Sequence, residues 1–269
     1  LSSLNVLTEN NFLYKIIKKI TRWIYKNCDQ ILVTSEAFVP SIEKLTGTKK
    51  QIQYFPQWIE TDYLNSIKNE MNYPQIRQKL DLWSDKFLIV FAGNLGEGQN
   101  FEAILDAADL IKSNTNVKWV IAGNGRLFEW IQNEIILRDL SKNMLMLGRL
   151  PSIQMPTLFN EASALLITLR KGEVFKRTIP GKLQSYLSSG KPILGMLDGE
   201  GRKVLELSGG GLCGPSGDSQ QLASNISKLE NMSDEKRELM GATGRKYALK
   251  KFDKELLISS MLLKLPFKK

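Results

Sequence analysis

Residues 178–194 read Thr-Ile-Pro-Gly-Lys-Leu-Gln-Ser-Tyr-Leu-Ser-Ser-Gly-Lys-Pro-Ile-Leu, and they carry the strongest local signals for secondary structure in the chain. Pro180 suits the first position of a helix, where its missing N–H costs nothing. Gly190 suits the residue after a helix, and Pro192 prevents the helix from continuing. The stretch therefore predicts a loop, a short helix that begins at Pro180 and ends before Gly190, and then a strand.

Lys182 lies in the first turn of this predicted helix. A cation there opposes the helix dipole, at a cost of roughly 0.3–1 kcal/mol. The position becomes favourable when an anion sits between the helix N-terminus and the ammonium group, and phosphate is the usual anion at such a site. A solvated surface lysine is the alternative that the residues alone leave open.

The chain around this stretch alternates between short apolar runs and helical segments. Strands are predicted at 87–92, 117–122, 144–147, 164–168, 193–196 and 211–213. Further helices are predicted at 101–113, 126–140, 153–162, 201–207, 220–229, 234–250 and 254–263. Such alternation specifies an α/β fold with a doubly wound parallel sheet, whose ligands bind outside the carboxyl ends of the strands.

Glycine-containing turns follow the first three of these strands. Residues 93–98 read Gly-Asn-Leu-Gly-Glu-Gly, residues 123–125 read Gly-Asn-Gly, and residues 148–151 read Gly-Arg-Leu-Pro. Glycine lets backbone N–H groups approach a phosphate closely, and a purely structural tight turn is the alternative. The spacing fits neither G-x-G-x-x-G nor a Walker A loop, so a dinucleotide site is only weakly supported.

The region before residue 86 is less regular. It contains an amphipathic helical stretch at 11–26, two short strands at 29–35 and 51–56, and a polar linker with a short helix at 57–84. The apolar face of the first helix predicts packing against a neighbouring sheet. Its basic face leaves contact with a membrane as a second interpretation.

The chain has 269 residues, a net charge of +9 and no histidine. The positive charge favours anionic partners, but no run of five basic residues occurs, so binding of nucleic acid is not predicted. The lack of histidine excludes Ser-His-Asp and Cys-His nucleophiles, histidine zinc sites and a histidine general base. An enzyme of this composition must use carboxylates, lysine, arginine and backbone dipoles.

Cellular location is predicted from cysteine use and hydropathy. Cys28 and Cys213 lie far apart and form neither a metal pattern nor a disulfide framework, which favours a reducing, cytoplasmic compartment. No apolar run approaches the roughly 18 residues that a transmembrane helix needs.

Four segments carry a family resemblance. TIPGKLQSYLSSGKPIL resembles the donor-site segment of family 4 glycosyltransferases, whose commoner form is roughly KLFEYMAAGKPIL. FAGNLGEGQNFEAILDAA resembles the family segment AGN-G-x-x-Q-N, and DQILVTSEAF with IQYFPQWIE resembles the last βα units of the family's N-terminal domain. Within the family, the sequence most resembles the bacterial surface-polysaccharide subgroup that includes fucosaminyl (N-acetylamino-deoxyhexose) transferases.

The resemblance implies a GT-B fold, in which two Rossmann-like domains face each other across a cleft. Residues 1–75 would then be the C-terminal part of the acceptor-side domain with the linker, 76–250 the nucleotide-sugar domain, and 251–269 a closing helix that packs back toward the N-terminal domain. About 80 residues are too few for a second open sheet, so we expect the chain to lack most of the acceptor-side domain.

The resemblance also implies an activity: transfer of a sugar from a nucleotide diphosphate, UDP in the first instance, with retention and without a metal or cofactor. The acceptor would be a glycan or a polyprenyl-linked glycan in O-antigen or capsule (lipopolysaccharide) biosynthesis. Lys182 is expected to be catalytic, by neutralising the leaving diphosphate. The expected donor-binding residues are Gly93, Asn94, Leu95, Gly96, Asn124, Arg149, Leu150, Thr178, Ile179, Pro180, Gly181, Leu183 and Ser185.

The sequence departs from the family pattern at one point. Many members carry two glutamates eight positions apart, and these positions correspond to Arg177 and Ser185 here. The Ser185 hydroxyl is expected to take the role of the second glutamate toward a ribose, and Glu173 is a candidate for the first. Residues 169–177 hold four basic side chains and are read either as a lid that faces the pyrophosphate or as a solvated loop.

Two other functions stay open at this point. A sugar-nucleotide epimerase has a similar two-domain scaffold, although those enzymes use several carboxylates and often histidine. A fragment that binds a nucleotide sugar without turnover is the second alternative. The closing region, with Lys250, Lys251, Lys254, Lys264, Lys268 and Lys269, is a candidate for contact with an anionic membrane.

Overall fold

The structure is a computed structural model, and it describes residues 11–47, 52–60 and 73–263. Parts of the predicted linker and closing region, including Lys264, Lys268 and Lys269, lie outside the described residues. Among the described helices, none combines the length and the apolar character needed to cross a bilayer.

The described residues form eight strands and twelve α-helices, named here in chain order. The strands are β1 (Ile31–Val33), β2 (Ile52–Tyr54), β3 (Phe87–Ala92), β4 (Val117–Ala122), β5 (Met144–Gly148), β6 (Ala164–Thr168), β7 (Ile193–Met196) and β8 (Gly211–Gly214). The helices are α1 (Phe12–Asn27), α2 (Val39–Thr46), α3 (Pro74–Leu80), α4 (Phe101–Leu110), α5 (Phe128–Leu137), α6 (Met155–Glu161), α7 (Glu173–Lys176), α8 (Lys182–Ser189), α9 (Gly199–Ser208), α10 (Ser219–Glu230), α11 (Asp234–Lys251) and α12 (Lys254–Leu262).

The larger sheet confirms the predicted doubly wound, Rossmann-like fold. Its strand order is β5-β4-β3-β6-β7-β8, and every neighbouring pair is parallel. The chain order reverses between β3 and β6, which are hydrogen-bonded to each other. A crevice at the carboxyl ends of these two strands is where such sheets bind ligands.

The core explains why the strands could be recognised as continuous apolar runs. Alternate residues of β3 point into two separate hydrophobic clusters: Leu88 and Val90 pack with α8, and Ile89 and Phe91 pack with α4. All six residues of β3 are buried. A strand covered on both faces has no polar side, so its sequence does not alternate.

The predicted start of α8 is wrong by two residues. The helix begins at Lys182, with Gly181 as the N-cap, and not at Pro180. Pro180 instead begins a tighter turn, in which the Leu183 N–H donates to the Pro180 carbonyl at 2.9 Å. Gly190 ends the helix as predicted, in the left-handed conformation that glycine favours (φ 78°).

The predicted loop at 169–179 is also corrected. It contains the one-turn helix α7, whose N-cap is Gly172. The predicted helices at 101–113 and 126–140 are shorter, ending at Leu110 and Leu137. Turns follow both: the Lys112 N–H donates to the Asp109 carbonyl, and the Asp139 N–H to the Ile136 carbonyl.

The N-terminal part is built from α1, α2 and the parallel pair β1–β2. We predicted that α1 packs against a sheet, but none of its residues is buried. Only its Tyr25 joins the small cluster formed by Ile31, Val33 and Ile42. The face of α1 that carries Phe12, Ile20 and Trp23 is exposed.

The segment after β2 joins this part to the larger sheet domain. Ile59 is fully buried in the main core, and its N–H donates to the Phe252 carbonyl at 2.9 Å. The Lys254 ammonium of α12 lies 5.8 Å from the centre of the Trp58 ring. These contacts bring the end of α11 and the start of α12 against residues 58–59. The domain limits remain a prediction.

Candidate functional site

The three glycine turns are tied together at the carboxyl edge of the sheet. The Gly93 N–H donates to the Ala122 carbonyl at 2.9 Å, and the Leu95 N–H to the Asn124 carbonyl at 2.9 Å. The Gly123 N–H donates to the Gly148 carbonyl at 2.8 Å. These bonds link the ends of β3, β4 and β5 into one rim.

Close packing explains the glycine at position 123. Its φ is +154°, and a Cβ there would lie 1.9 Å from the Gly93 carbonyl oxygen. No side chain fits at that distance. This glycine is therefore required for the turns to meet, whether or not a ligand is bound.

The rim bonds limit which N–H groups are free for a ligand. The N–H groups of Gly93 and Leu95 are used within the rim, whereas those of Asn94 and Gly96 make no backbone bond to the described residues. Asn94 is exposed and Gly96 is partly exposed. Of these four N–H groups, the two of Asn94 and Gly96 are available to donate to an anion.

Lys182 extends from the first position of α8 toward this rim. Its Nζ donates to Gln99 Oε1 at 3.1 Å and lies 3.8 Å from the centre of the Phe91 ring. A Cβ on Gly93 would lie 3.1 Å from the same Nζ. The ammonium group thus points at the Gly93 turn.

The surroundings of Lys182 carry little compensating charge. Among the described residues no carboxylate forms an ion pair with its ammonium group, and burial lowers the pKa of Lys182 from 10.5 to about 7. The aromatic ring and the amide oxygen stabilise a cation only partly. An anion bound beside Nζ would supply the missing charge and raise the pKa again.

Gln99, which the sequence analysis did not select, is held firmly in place. The Thr168 hydroxyl donates to the Gln99 carbonyl at 2.6 Å, and the Arg170 N–H donates to the Gly98 carbonyl at 2.9 Å. These bonds hold the turn at residues 98–99 against the end of β6. The signal for Gln99 was present in the family segment AGN-G-x-x-Q-N.

Two further residues anchor α8 and were also missed. The Tyr186 hydroxyl bonds to both backbone groups of Ala92 at the end of β3. Gln184 is buried, and in the amide orientation that its surroundings favour, its nitrogen donates to the Gly181 carbonyl at 2.7 Å. Tyr186 holds α8 against the end of β3, and Gln184 closes the N-terminal turn of α8.

The predicted donor-binding residues divide into two groups. One group is at least partly exposed: Gly93, Asn94, Gly96, Asn124, Arg149, Leu150, Thr178, Gly181 and Ser185. The other group is buried in the protein interior: Leu95, Ile179, Pro180 and Leu183. The N–H groups of Leu95 and Leu183 are already bonded, so these two residues offer a ligand neither a side chain nor a free donor.

The basic loop forms ion pairs with itself and with its neighbours. Lys176 Nζ lies 3.1 Å from Glu173 Oε1, and Arg170 lies 3.9 Å from Glu97. Arg177 donates to the hydroxyl of Ser41 in α2 and also lies 4.0 Å from Glu173. Glu173 is therefore engaged by cations of its own loop. Its role as a replacement for the first family glutamate remains a prediction.

A groove of about 500 Å³ lies at the opposite, amino edge of the sheet. Its lining includes the basic residues Lys86, Lys191 and Arg245 and the acidic residues Asp81, Glu161 and Glu238. The candidate site is not placed there, because Lys182, the glycine turns and the reversal between β3 and β6 all lie at the carboxyl edge. In the part of the chain that the structure describes, no cluster of three acidic or cysteine side chains is arranged to hold a metal ion.

The chain is similar to known glycosyltransferases. The profile described as "Glycosyl transferases group 1" matches residues 72–247. The chain is 23% identical over 230 residues to the probable glycosyltransferase WbjE of Pseudomonas aeruginosa, which covers 83% of this chain and 55% of that protein. It is 26% identical over 165 residues to the putative colanic acid biosynthesis glycosyl transferase WcaI of Escherichia coli (strain K12), which covers 61% of this chain and 39% of that protein. The chain thus spans about half, or less, of the length of these relatives.

The fold is similar to that of a solved structure, Anabaena Alr3699/HepE in complex with UDP and glucose. The TM-score is 0.74 at 17% sequence identity, covering 93% of this chain and 67% of that chain. At this identity the likeness concerns the fold alone.

Proposed function

The chain belongs to the Glycosyl transferases group 1 family, and on that premise we propose that it is the donor-binding part of a glycosyltransferase. The substrate is a nucleotide diphosphate sugar, and UDP is the first nucleotide to test because HepE was crystallised with it. The single observation that carries the proposal is the Lys182 ammonium, which faces the Gly93 turn without an acidic partner among the described residues.

In the proposed mechanism, breaking the bond between the sugar and the diphosphate leaves negative charge on the diphosphate. Lys182 and the N-terminal turn of α8 stabilise that charge, and the free N–H groups of Asn94 and Gly96 contribute donors at the rim. No metal ion takes part. The sugar is transferred with retention, and Arg149 contacts the nucleotide at the end of β5.

The proposed biological role is polysaccharide synthesis. The relative WcaI carries colanic acid biosynthesis in its name, so a glycan or polyprenyl-linked acceptor in O-antigen or capsule assembly fits the proposal. The transferred sugar would be an N-acetylated amino or deoxyamino hexose, as in fucosaminyl transferases. The enzyme would act in the cytoplasm.

We also propose peripheral contact with an anionic membrane, where a lipid-linked acceptor would lie. We assign this role to α1. Its exposed apolar side chains, including Phe12 and Trp23, lie beside exposed basic residues such as Lys18 and Lys19. This combination is typical of helices that lie in the membrane interface.

Calorimetric titration tests the donor proposal. We expect the chain to bind UDP and UDP-sugars more tightly than uridine, because the diphosphate meets Lys182 and the helix tip. Incubation with UDP-N-acetylglucosamine, followed by NMR of the sugar, separates the alternatives: an epimerase would produce a new sugar isomer, and a transferase would not. Lack of binding at millimolar UDP, GDP and ADP would contradict the proposal.

A further inference from the structure

Gln57 lies against the tip of α8, although the sequence analysis assigned it no role. A Cβ on Gly181 would lie 2.2 Å from Gln57 Oε1 and 3.2 Å from Gln57 Cδ. The carboxamide of Gln57 therefore packs directly against the Cα of Gly181, the N-cap residue of α8. Gln57 comes from the segment after β2, so the two parts of the chain meet at this point.

The residues around Gln57 hold it there. Pro56 is buried, and Ile59 is fully buried with its N–H bonded to the Phe252 carbonyl at 2.9 Å. The Trp58 ring lies edge-on to the Phe55 ring, with 6.1 Å between their centres. Gln57 itself is exposed, so its position follows from its fixed neighbours and not from its own burial.

A second contact links the N-terminal part to the same end of α8. Arg177, four residues before Gly181, donates to the Ser41 hydroxyl in α2. Two polar contacts from different elements, α2 and the segment after β2, therefore converge on residues 177–181. This arrangement places Gln57 next to the predicted diphosphate site, and not on an unrelated surface.

The carboxamide suits a site for a diphosphate. Its oxygen lies at a helix N-terminus, where negative partial charge is favourable. Its nitrogen has two N–H donors, and rotation about the terminal torsion turns them toward a bound phosphate oxygen. Glutamine has no charge, so it does not repel the diphosphate as a carboxylate would.

We infer that Gln57 contacts the diphosphate of the donor, as a polar group that the N-terminal part of the chain contributes to the site. This inference rests on the proposed donor-binding function. In the structure the carboxamide oxygen lies at the helix tip. In the complex the amide rotates and its nitrogen donates to a phosphate oxygen, while Lys182 neutralises the charge from the side of the Gly93 turn.

The test compares UDP with uridine in calorimetric titrations of the intact chain. Gln57→Glu places a carboxylate beside the diphosphate, so we expect UDP affinity to fall by roughly tenfold or more and uridine affinity to change by less than about twofold. Gln57→Ala removes the carboxamide without adding charge, and we expect UDP affinity to fall by roughly threefold to tenfold. The matched control is Gln78→Glu, an equal charge change at an exposed position of α3, a helix whose Leu80 lines the groove at the amino edge.

The outcomes separate this inference from the function on which it rests. If Lys182→Met weakens UDP binding and the two Gln57 variants do not, the inference is wrong and the donor site stands. If the Gln57 variants weaken UDP and uridine equally, Gln57 shapes the cleft and does not contact the diphosphate, which also overturns the inference. If the unsubstituted chain binds no nucleoside diphosphate, the proposed function and the inference fail together.

Discussion

The hydroxyl of Tyr186 accepts a hydrogen bond from the Ala92 N–H at 2.8 Å and donates one to the Ala92 carbonyl at 3.0 Å. One side chain of α8 thus satisfies both backbone groups of the last residue of β3. Lys182 lies one helical turn earlier, facing Gly93, the residue that follows Ala92. The position of the ammonium group therefore depends on this anchor.

Replacing Tyr186 with Phe removes the anchor and keeps the ring, which packs edge-on against Phe159. Both backbone groups of Ala92 lose a buried partner, so we expect the free energy of unfolding to fall by about 1–3 kcal/mol in urea titrations. UDP binding should weaken as well. The control is Tyr247→Phe, whose hydroxyl has no hydrogen bond to a described residue and should matter little. Equal stability of Tyr186→Phe and the unsubstituted chain would contradict the anchoring role.

Replacing Lys182 with Ala tests the proposed catalytic group. We expect UDP affinity to fall by roughly tenfold or more, about 1.4 kcal/mol, with uridine affinity nearly unchanged. The control is Lys191→Ala, near the other end of the same helix, where the ammonium donates to the Asn160 carbonyl at 2.8 Å. Unchanged affinity for UDP after Lys182→Ala would exclude Lys182 from the diphosphate site.

The low pKa of Lys182 predicts how UDP binding depends on pH. Burial lowers this pKa to about 7, so the free protein loses the ammonium charge as the pH rises above 7. We expect UDP affinity to fall between about pH 7 and 9, a range in which the phosphate groups, with a second pKa of about 6, are already ionised. Calorimetry in buffers of different ionisation enthalpy should detect proton uptake on binding near pH 7.5, and the Lys182→Met variant should show none.

The same pKa shift has a consequence for stability. The pKa of Lys182 is lower in the folded chain than its ordinary value of 10.5, so between about pH 7 and 10.5 the unfolded chain binds more protons at this site. The contribution of Lys182 to the free energy of unfolding therefore rises with pH through that window, and its penalty is fully present below pH 7. Lys182→Met removes the penalty, so we expect a gain in stability at pH 6 that shrinks toward pH 10. A gain that is independent of pH would point to packing instead of charge.

The exposed face of α1 predicts binding to lipid. We expect the chain to sediment with anionic vesicles and to remain free with neutral ones, because basic residues lie beside apolar ones on this helix. Trp23→Asp should abolish sedimentation. Leu256→Asp places the same charge on an exposed position of the closing helix α12 and should leave sedimentation unchanged. The opposite pattern would assign membrane contact to α12.

The bounds of four central strands could be predicted from the local sequence alone. The bounds of β3, β4, β6 and β7 follow the apolar runs, because strands buried on both faces need continuous hydrophobic side chains. The predicted start of α8 was wrong, because Pro180 forms a separate tight turn in which its carbonyl accepts from the Leu183 N–H. A proline followed by a glycine is compatible both with such a turn and with the first turn of a helix.

The candidate site was only partly predictable, for a different reason. Lys182 was found because its position in one helix already indicates an anion. Gln57, Gln99 and Tyr186 act through contacts with residues far away in sequence, namely Gly181, Lys182 and Ala92. Such contacts depend on how the elements pack. The family segments AGN-G-x-x-Q-N and KLFEYMAAGKPIL contain the glutamine and the tyrosine that correspond to Gln99 and Tyr186, but they do not show which residues these side chains contact.

Replacing Gly123 with Ala tests whether the rim is a fixed structure. The new Cβ would lie 1.9 Å from the Gly93 carbonyl oxygen, at a backbone φ of +154°, so the turns after β3 and β4 must move apart. We expect a loss of more than about 2 kcal/mol in the free energy of unfolding, together with weaker UDP binding, because Gly93 faces Lys182. Gly148→Ala is the matched control: its φ is +70°, but a Cβ there meets nothing within 4 Å, so only backbone strain of about 1–2 kcal/mol is added. Similar losses for the two variants would show that strain, and not the contact between the turns, sets the requirement for glycine at position 123.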